Sequence, residues 1–118
     1  MINTISIKDS KDFQRVINKG KWFGGDYLST YVLQNGDKSN YIGLAIGKKA
    51  GKAYRRNRIK RLIKASYTDL ENTLKYGYSI VFVWKIKAKY EDISYEGIYS
   101  DLKKAFKKAG ILDENNIN

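Results

Sequence analysis

The chain has 118 residues, with 23 Lys and Arg against 12 Asp and Glu, a formal net charge of +11 and a pI near 9.7. It contains no Cys and no His, which excludes disulfides, thiolate metal sites and imidazole acid–base chemistry. The length and the hydrophobic content of 42% predict one domain over residues 1–118, and the charge favours a polyanionic partner.

The sequence has no apolar run long enough to span a membrane, and residues 1–6 lack the apolar region of a signal peptide. We therefore expect a soluble, cytoplasmic protein. Residues 1–9 are interpreted as a short lead-in, and no strand is assigned to them.

The first predicted element is a short amphipathic helix. Asp9 or Ser10 can cap its start, and Gly20 is placed to end it. Its apolar face repeats at i, i+3 and i+4, and consists of Phe13, Val16 and Ile17.

A pair of strands is predicted next, after an extended or turn-like stretch at residues 22–25. Residues 27–34 are rich in β-formers, and residues 41–46 form a second such run beyond a turn at 35–37. We expect an antiparallel hairpin. Alternation along the first strand places four side chains on one face: Tyr27, Ser29, Tyr31 and Leu33.

The second half of the chain predicts a helix to about residue 72, a strand and a last helix. Residues 79–84 are almost wholly apolar, which is typical of a central buried strand. A basic loop at residues 85–89 leads to a helix between Ser94 and Gly110, and residues 111–118 are expected to be frayed. The sequence therefore predicts an α+β fold, a small sheet packed with helices.

Residues 48–64 stand out because nine of these seventeen residues are Lys or Arg and none is acidic. On a helix, one broad face would be apolar, with Ile59, Leu62, Ile63, Ser66, Tyr67 and Leu70. A neighbouring face, here called the basic ridge, would carry Arg56, Asn57, Lys60, Arg61 and Lys64, with Arg58 on the other shoulder. This separation indicates a docked helix and not a basic tail. A merely solvated face is disfavoured, since solvated helices usually mix both signs of charge.

Catalysis by the protein itself has little support in the sequence. A nuclease without His or Cys would need clustered carboxylates that hold Mg²⁺, and the acidic residues form no compact motif. The stretch Gly47–Lys52 lacks the spacing of a nucleotide-binding phosphate loop, although its amides could meet a phosphate. A metal-dependent nuclease and a membrane-surface role stay weaker alternatives to RNA binding.

Aromatic side chains add a second indication of RNA. Tyr27 and Tyr31 are predicted to project from one strand face, with Phe13 on the adjoining helix. Bases of single-stranded RNA stack on such rings. Burial in the core is an equally good interpretation for Phe13 alone.

Residues 49–63 resemble the protein subunit of bacterial ribonuclease P. The family's hallmark is an Arg-Asn-Arg core, here Arg56 to Arg58, followed by Ile-Lys-Arg and preceded by a Lys-x-Gly-x-Ala segment that starts at Lys49. Further similarity lies at residues 12–16, 19–21, 31–33 and 43–46, so that residues 7–110 are covered.

The resemblance implies the element order α-β-β-β-α-β-α, like domain 2 of ribosomal protein S5. It also implies a left-handed β-α-β crossover around the motif helix, against the usual rule.

The resemblance further implies a protein without its own active site. Such a subunit binds a catalytic RNA, which uses Mg²⁺ to remove the 5′ leader of precursor tRNA, and no cofactor is expected on the protein. The RNA-binding residues that match the family motif are Arg56, Asn57, Arg58, Lys60 and Arg61. The rest of the basic stretch adds Lys48, Lys49, Lys52, Arg55 and Lys64 to the predicted RNA-binding residues. The resemblance implies a leader cleft with Phe13 and Tyr31, and with Ile17 where many members carry a second Phe. The predicted strand face adds Tyr27 to this cleft, although the sequence leaves open whether Tyr27 points into the cleft or the core. A ribosomal or other structured-RNA-binding protein is the alternative.

Overall fold

The computed structural model describes residues 4–113. Their strands and helices are, in chain order, β1 (Thr4–Ser6), α1 (Ser10–Lys19), β2 (Lys21–Gly24), β3 (Leu28–Gln34), β4 (Asn40–Ala45), α2 (Ala53–Leu70), β5 (Tyr78–Trp84) and α3 (Tyr95–Ala109). Short 3-10 turns lie at Lys48–Ala50, Glu71–Thr73 and Tyr90–Asp92. The predicted α+β class is confirmed. Within these residues, every helix is too short or too polar to cross a membrane.

The five strands form one mixed sheet in the order β1-β4-β5-β3-β2. β5 occupies the centre, antiparallel to β3 and parallel to β4. Its residues Ile80, Val81 and Phe82 are inaccessible to solvent, which confirms the predicted central buried strand.

The predicted hairpin of β3 and β4 is wrong, because β5 lies between these two strands. The connection at residues 35–39 spans two strand spacings, about 10 Å, and is long enough to do so. Two amides of this region hold the start of β5. Asn35 Nδ2 donates to Ser79 Oγ at 3.1 Å, and Asn40 Oδ1 accepts from the Tyr78 amide at 2.9 Å.

Both ends of the described chain are more ordered than predicted. Residues 4–6 form a strand parallel to β4, where no strand was assigned. At the other end, Gly110 takes a left-handed conformation (φ 73°) and turns the chain back, so that Ile111 and Leu112 are buried. The rest of the predicted frayed tail, residues 114–118, lies outside the described residues.

The two faces of the sheet are covered differently. α2 and α3 pack on one face, where the main core includes Leu28, Val32 and Phe82 from the sheet. α1 crosses part of the opposite face and buries Val16 there. α2 also connects the parallel strands β4 and β5, as expected for a crossover. The left-handed sense of this crossover stays a prediction.

Candidate nucleic-acid interface

The motif helix α2 is docked by its apolar side, as predicted. Five of the six residues assigned to that face are buried (Ile59, Ile63, Ser66, Tyr67 and Leu70), and Leu62 packs half-buried against the same core. On the basic ridge, Asn57, Arg61 and Lys64 are exposed, and Arg56 and Lys60 are half-buried. The ridge is therefore a fixed array of cations at the surface.

The entry to α2 is also basic. Lys48 and Lys49 are exposed in the 3-10 turn, which is anchored by the buried Ala50. Gly51 follows with φ 121°, a conformation that L side chains rarely adopt, and Lys52 then precedes the helix. Neither a side-chain cap nor an acid occupies the first turn of α2. This end of the helix is therefore suited to an anion.

On the shoulder of α2, two arginines meet the 3-10 turn at Tyr90–Asp92. The guanidinium carbon of Arg55 lies 4.6 Å from the centre of the Tyr90 ring, and that of Arg58 lies 5.6 Å away. Arg55 Nη1 is 3.3 Å from Glu91 Oε1. The hydrogen bond that Arg55 donates to Tyr54, together with Glu91, holds the pKa of Arg55 above its ordinary value.

The sheet face that carries α1 has an open part with two parallel rows of side chains. Strand pairing aligns one row, here called the aromatic row, as Trp22, Tyr31, Val81 and Gly43. The next row, here called the floor, aligns Gly24, Ser29, Val83 and Ala45. Because all four floor side chains are small and none is fully buried, this part of the sheet forms a shallow surface accessible to solvent.

The first helix closes one side of this surface. A Cβ on Gly43 would come within 2.6 Å of Phe13 Cε2, so the ring lies directly on the backbone of β4. Phe13, Ile17 and Tyr31 are all half-buried, each with part of its side chain open to solvent. The structure therefore brings Phe13 and Tyr31 to one face of the sheet, and Ile17 lies one helical turn after Phe13 on α1. Their contact with RNA stays a prediction.

Tyr27 does not belong to this face, and its predicted place beside Tyr31 is wrong. β3 begins one residue later, and Tyr27 stacks on Trp84 of the main core with ring centres 6.1 Å apart. Its hydroxyl donates to the Asp92 carbonyl at 2.7 Å. The alternation of a strand does not apply to Tyr27 because the chain bends at residues 26–27 before the strand starts.

The acidic residues lie elsewhere and do not gather. Between Thr4 and Asp113, no three side chains of Asp, Glu, His or Cys are placed to hold a metal ion together. A cavity of about 450 Å³ at the start of α1 is lined by Asp9, Asp12 and Asp37 among others. Lys8 and Arg15 also line this cavity, so its charge is mixed and we do not include it in the candidate interface.

Comparison with known proteins decides the family. Residues 1–110 match the Ribonuclease P family. The chain belongs to this family. It is 36% identical over 109 residues to the ribonuclease P protein component of Clostridioides difficile (strain 630), covering 92% of this chain and 94% of that protein. It is 39% identical over 108 residues to that of Clostridium botulinum (strain Loch Maree), covering 91% and 96%.

Solved structures of ribonuclease P proteins agree with this assignment. The Staphylococcus aureus protein superposes with a TM-score of 0.79 and 26% identity, covering 91% of this chain and 96% of that chain. The Thermotoga maritima protein shares the fold, with a TM-score of 0.77 and 22% identity over 87% and 96% of the two chains.

Three residues of this ribonuclease P family member lie in the candidate interface although no sequence pattern singles them out. Tyr90 and Glu91 reach α2 from a distant part of the chain, and no local pattern announces such a contact. Trp22 lies in the aromatic row, opposite Tyr31. A weak signal existed for Trp22, because Trp22 and Phe23 are β-formers close to the predicted strand at residues 27–34 and could form a strand paired with it.

Proposed function

We propose that this chain is the RNA-binding protein subunit of bacterial ribonuclease P, which supports removal of the 5′ leader from precursor tRNA by a catalytic RNA. One observation carries the proposal. β4 runs from the floor at Ala45 through residues 46–47 straight into the exposed Lys48 and Lys49 and the motif helix. A shallow surface with aromatic rings is thus continuous with a fixed array of cations.

The basic ridge and the entry of α2 bind the catalytic RNA through its phosphates. Each Lys or Arg that contacts a phosphate releases counterions from the RNA, so binding weakens as salt is added. The net charge of +11 also reduces the repulsion between two polyanions, the catalytic RNA and the precursor tRNA. The residues that we assign to binding of the catalytic RNA are Lys48, Lys49, Lys52, Arg55, Arg56, Asn57, Arg58, Lys60, Arg61 and Lys64.

The surface beside α1 receives the single-stranded leader. Phe13 and Tyr31 offer rings on which unpaired bases stack, and the small floor side chains leave room for a strand. Ile17 adds an apolar contact from α1. The described part of the chain gathers no carboxylate cluster, so we assign bond cleavage and the Mg²⁺ that it needs to the RNA. The site of action is the cytoplasm.

The test is cleavage of a precursor tRNA at low Mg²⁺ by a bacterial ribonuclease P RNA, with and without this protein. We expect the protein to restore 5′ processing, and we expect Lys60→Ala and Arg61→Ala to weaken that rescue. Lys107→Ala on α3 is the matched control, because it removes one exposed cation from another helix.

Binding at several salt concentrations gives a second readout. Each ridge variant should lower the slope of log affinity against log salt by about one, and Lys107→Ala should leave the slope unchanged. Absence of rescue, together with tight binding to other structured RNA, would overturn the proposal in favour of general RNA binding.

A further inference from the structure

Trp22 is a large aromatic side chain that the fold leaves in solvent. It is 58% exposed, whereas Trp84, the other tryptophan, is 6% exposed in the core. Trp22 lies on β2, the edge strand of the sheet, directly opposite Tyr31 of β3. Directly opposite residues of paired strands share a face, so both rings rise from the side of the sheet that carries the floor.

The position of Trp22 extends the aromatic row to the sheet edge. Phe13 covers the Gly43 end of that row, Tyr31 stands within it, and Trp22 ends it. Three strand spacings separate β4 from β2, about 14 Å in total. The rings are therefore spread across the sheet and not collected at one point, an arrangement that suits a strand of several nucleotides.

Gly24 explains how the indole lies. A Cβ on Gly24 would come within 2.8 Å of both Cη2 and Cζ2 of Trp22. The ring therefore leans along β2 over the backbone of Gly24, at the end of the floor. With its edge held by the strand and more than half of its surface exposed, the indole offers a flat face without further rearrangement.

The surroundings favour RNA as the occupant. The eight positions of the aromatic row and the floor contain no acidic residue. Lys21 precedes Trp22, and β4 leads to Lys48 and Lys49 at the other side. A protein partner is less favoured, because the floor positions nearest to Trp22 are Gly24 and Ser29, which offer little apolar side-chain area to bury.

We propose that Trp22 stacks a base of the single-stranded leader, a second base beyond the one at Tyr31, which makes the edge strand part of the leader-binding surface. This inference rests on the proposed function. Trp22 then contributes to how the holoenzyme distinguishes precursors by the length of the leader.

The test measures affinity of the reconstituted holoenzyme for precursor tRNAs whose leaders increase one nucleotide at a time. Trp22→Ala should weaken binding about 5-fold or more once the leader reaches Trp22, and leave leaderless tRNA unaffected. Trp22→Phe should retain most of the affinity. Tyr76→Ala is the matched control, since Tyr76 is also 58% exposed but lies outside both rows. Gly24→Ala should cause a smaller loss of affinity for precursors with long leaders, because the added Cβ displaces the indole of Trp22.

Quenching by acrylamide gives an independent readout, because Trp22 is accessible and Trp84 is not. Precursor with a long leader should protect the accessible fluorescence, and Trp22→Phe should abolish that change. If Trp22→Ala bound precursors as tightly as the wild type at every leader length, while Tyr31→Ala bound them more weakly, the role of Trp22 would be overturned and that of Tyr31 would stand. If Trp22 became protected from acrylamide as the protein concentration rose in the absence of RNA, the surface would be assigned to self-association. If the affinity of the wild-type holoenzyme did not depend on leader length at all, the proposed function itself would be rejected.

Discussion

The guanidinium of Arg55 lies over the ring of Tyr90, with its central carbon 4.6 Å from the ring centre. An arginine of the motif helix is thus held by a turn that follows β5. The neighbouring Glu91 accepts a hydrogen bond from Arg55 Nη1 at 3.3 Å. The Tyr90 ring restrains the Arg55 guanidinium but leaves its positive charge intact, whereas the Glu91 carboxylate partly neutralises that charge. Under the proposed function, the catalytic RNA competes with Glu91 for Arg55.

Glu91→Gln should therefore strengthen binding to the catalytic RNA. The side chains are exposed, so we expect a gain in affinity of at most about fivefold, together with a salt slope steeper by up to about one. Filter binding at several salt concentrations measures both quantities. Glu96→Gln, which makes the same charge change in the first turn of α3, is the control. Equal effects of the two variants would show that Glu91 does not compete with RNA.

Tyr31→Ala should weaken binding of precursor tRNA that carries a leader by about 1–3 kcal/mol, the value of one base–aromatic stack. Leaderless tRNA should bind unchanged. Tyr76→Ala is the matched control, because it removes the same ring at an exposed position outside the leader surface. Equal losses for both substrates would remove Tyr31 from the leader surface, and an equal leader-dependent loss in Tyr76→Ala would show that the effect is not specific to Tyr31.

Local periodicity was sufficient to predict the motif helix and its orientation. Apolar residues such as Ile59 and Ile63 recur at helical spacing. When this apolar side is buried against the core, the basic ridge must point toward solvent. The apolar run of β5 likewise predicted its central place, because the main core covers one face of this strand and α1 contacts the other.

Pairing between distant segments was not predictable in the same way. The alternation in β3 and β4 is the same whether these strands pair with each other or with β5. Tyr27 was misplaced because β3 starts one residue later than predicted, and the bend at residues 26–27 removes Tyr27 from the alternation of the strand. The contact of Tyr90 with α2 depends on the loop after β5 and has no local signature.

Asp101 of α3 holds the start of β3, and its removal should destabilise the protein strongly. The buried carboxylate accepts three backbone N–H bonds, from Asp26 at 2.9 Å, Tyr27 at 2.7 Å and Leu28 at 3.0 Å. Asp101→Ala leaves these donors without their acceptor, and we expect a loss of about 3 kcal/mol in the free energy of unfolding. Asp101→Asn keeps one oxygen and should lose less.

Urea unfolding followed by circular dichroism measures these losses. Lys104→Ala, an exposed position on the same helix, should change stability little. If Asp101→Ala unfolded at the same urea concentration as Lys104→Ala, the carboxylate would not be what orders residues 26–28.

Tyr67 should make stability fall at alkaline pH. Thr4 Oγ1 donates to Glu71 Oε2 at 2.6 Å, and because a hydroxyl has one proton, Tyr67 must donate to Thr4, 2.7 Å away. Burial raises the pKa of Tyr67 to about 12, against about 10 in the unfolded chain. A raised folded-state pKa contributes stability that is complete below pH 10 and is lost as pH rises through 12.

The expected loss from Tyr67 is about 2–3 kcal/mol between pH 10 and 12, and Tyr67→Phe should flatten this part of the curve. Free energies of unfolding at several pH values across this interval provide the measurement. Tyr95→Phe is the comparison, because a hydrogen bond to the Asp69 carboxylate also raises the pKa of Tyr95 to about 12, but at an exposed site. Solvent screening should make its effect smaller. A Tyr67→Phe curve as steep as that of the wild type would show that the buried hydroxyl is not what titrates.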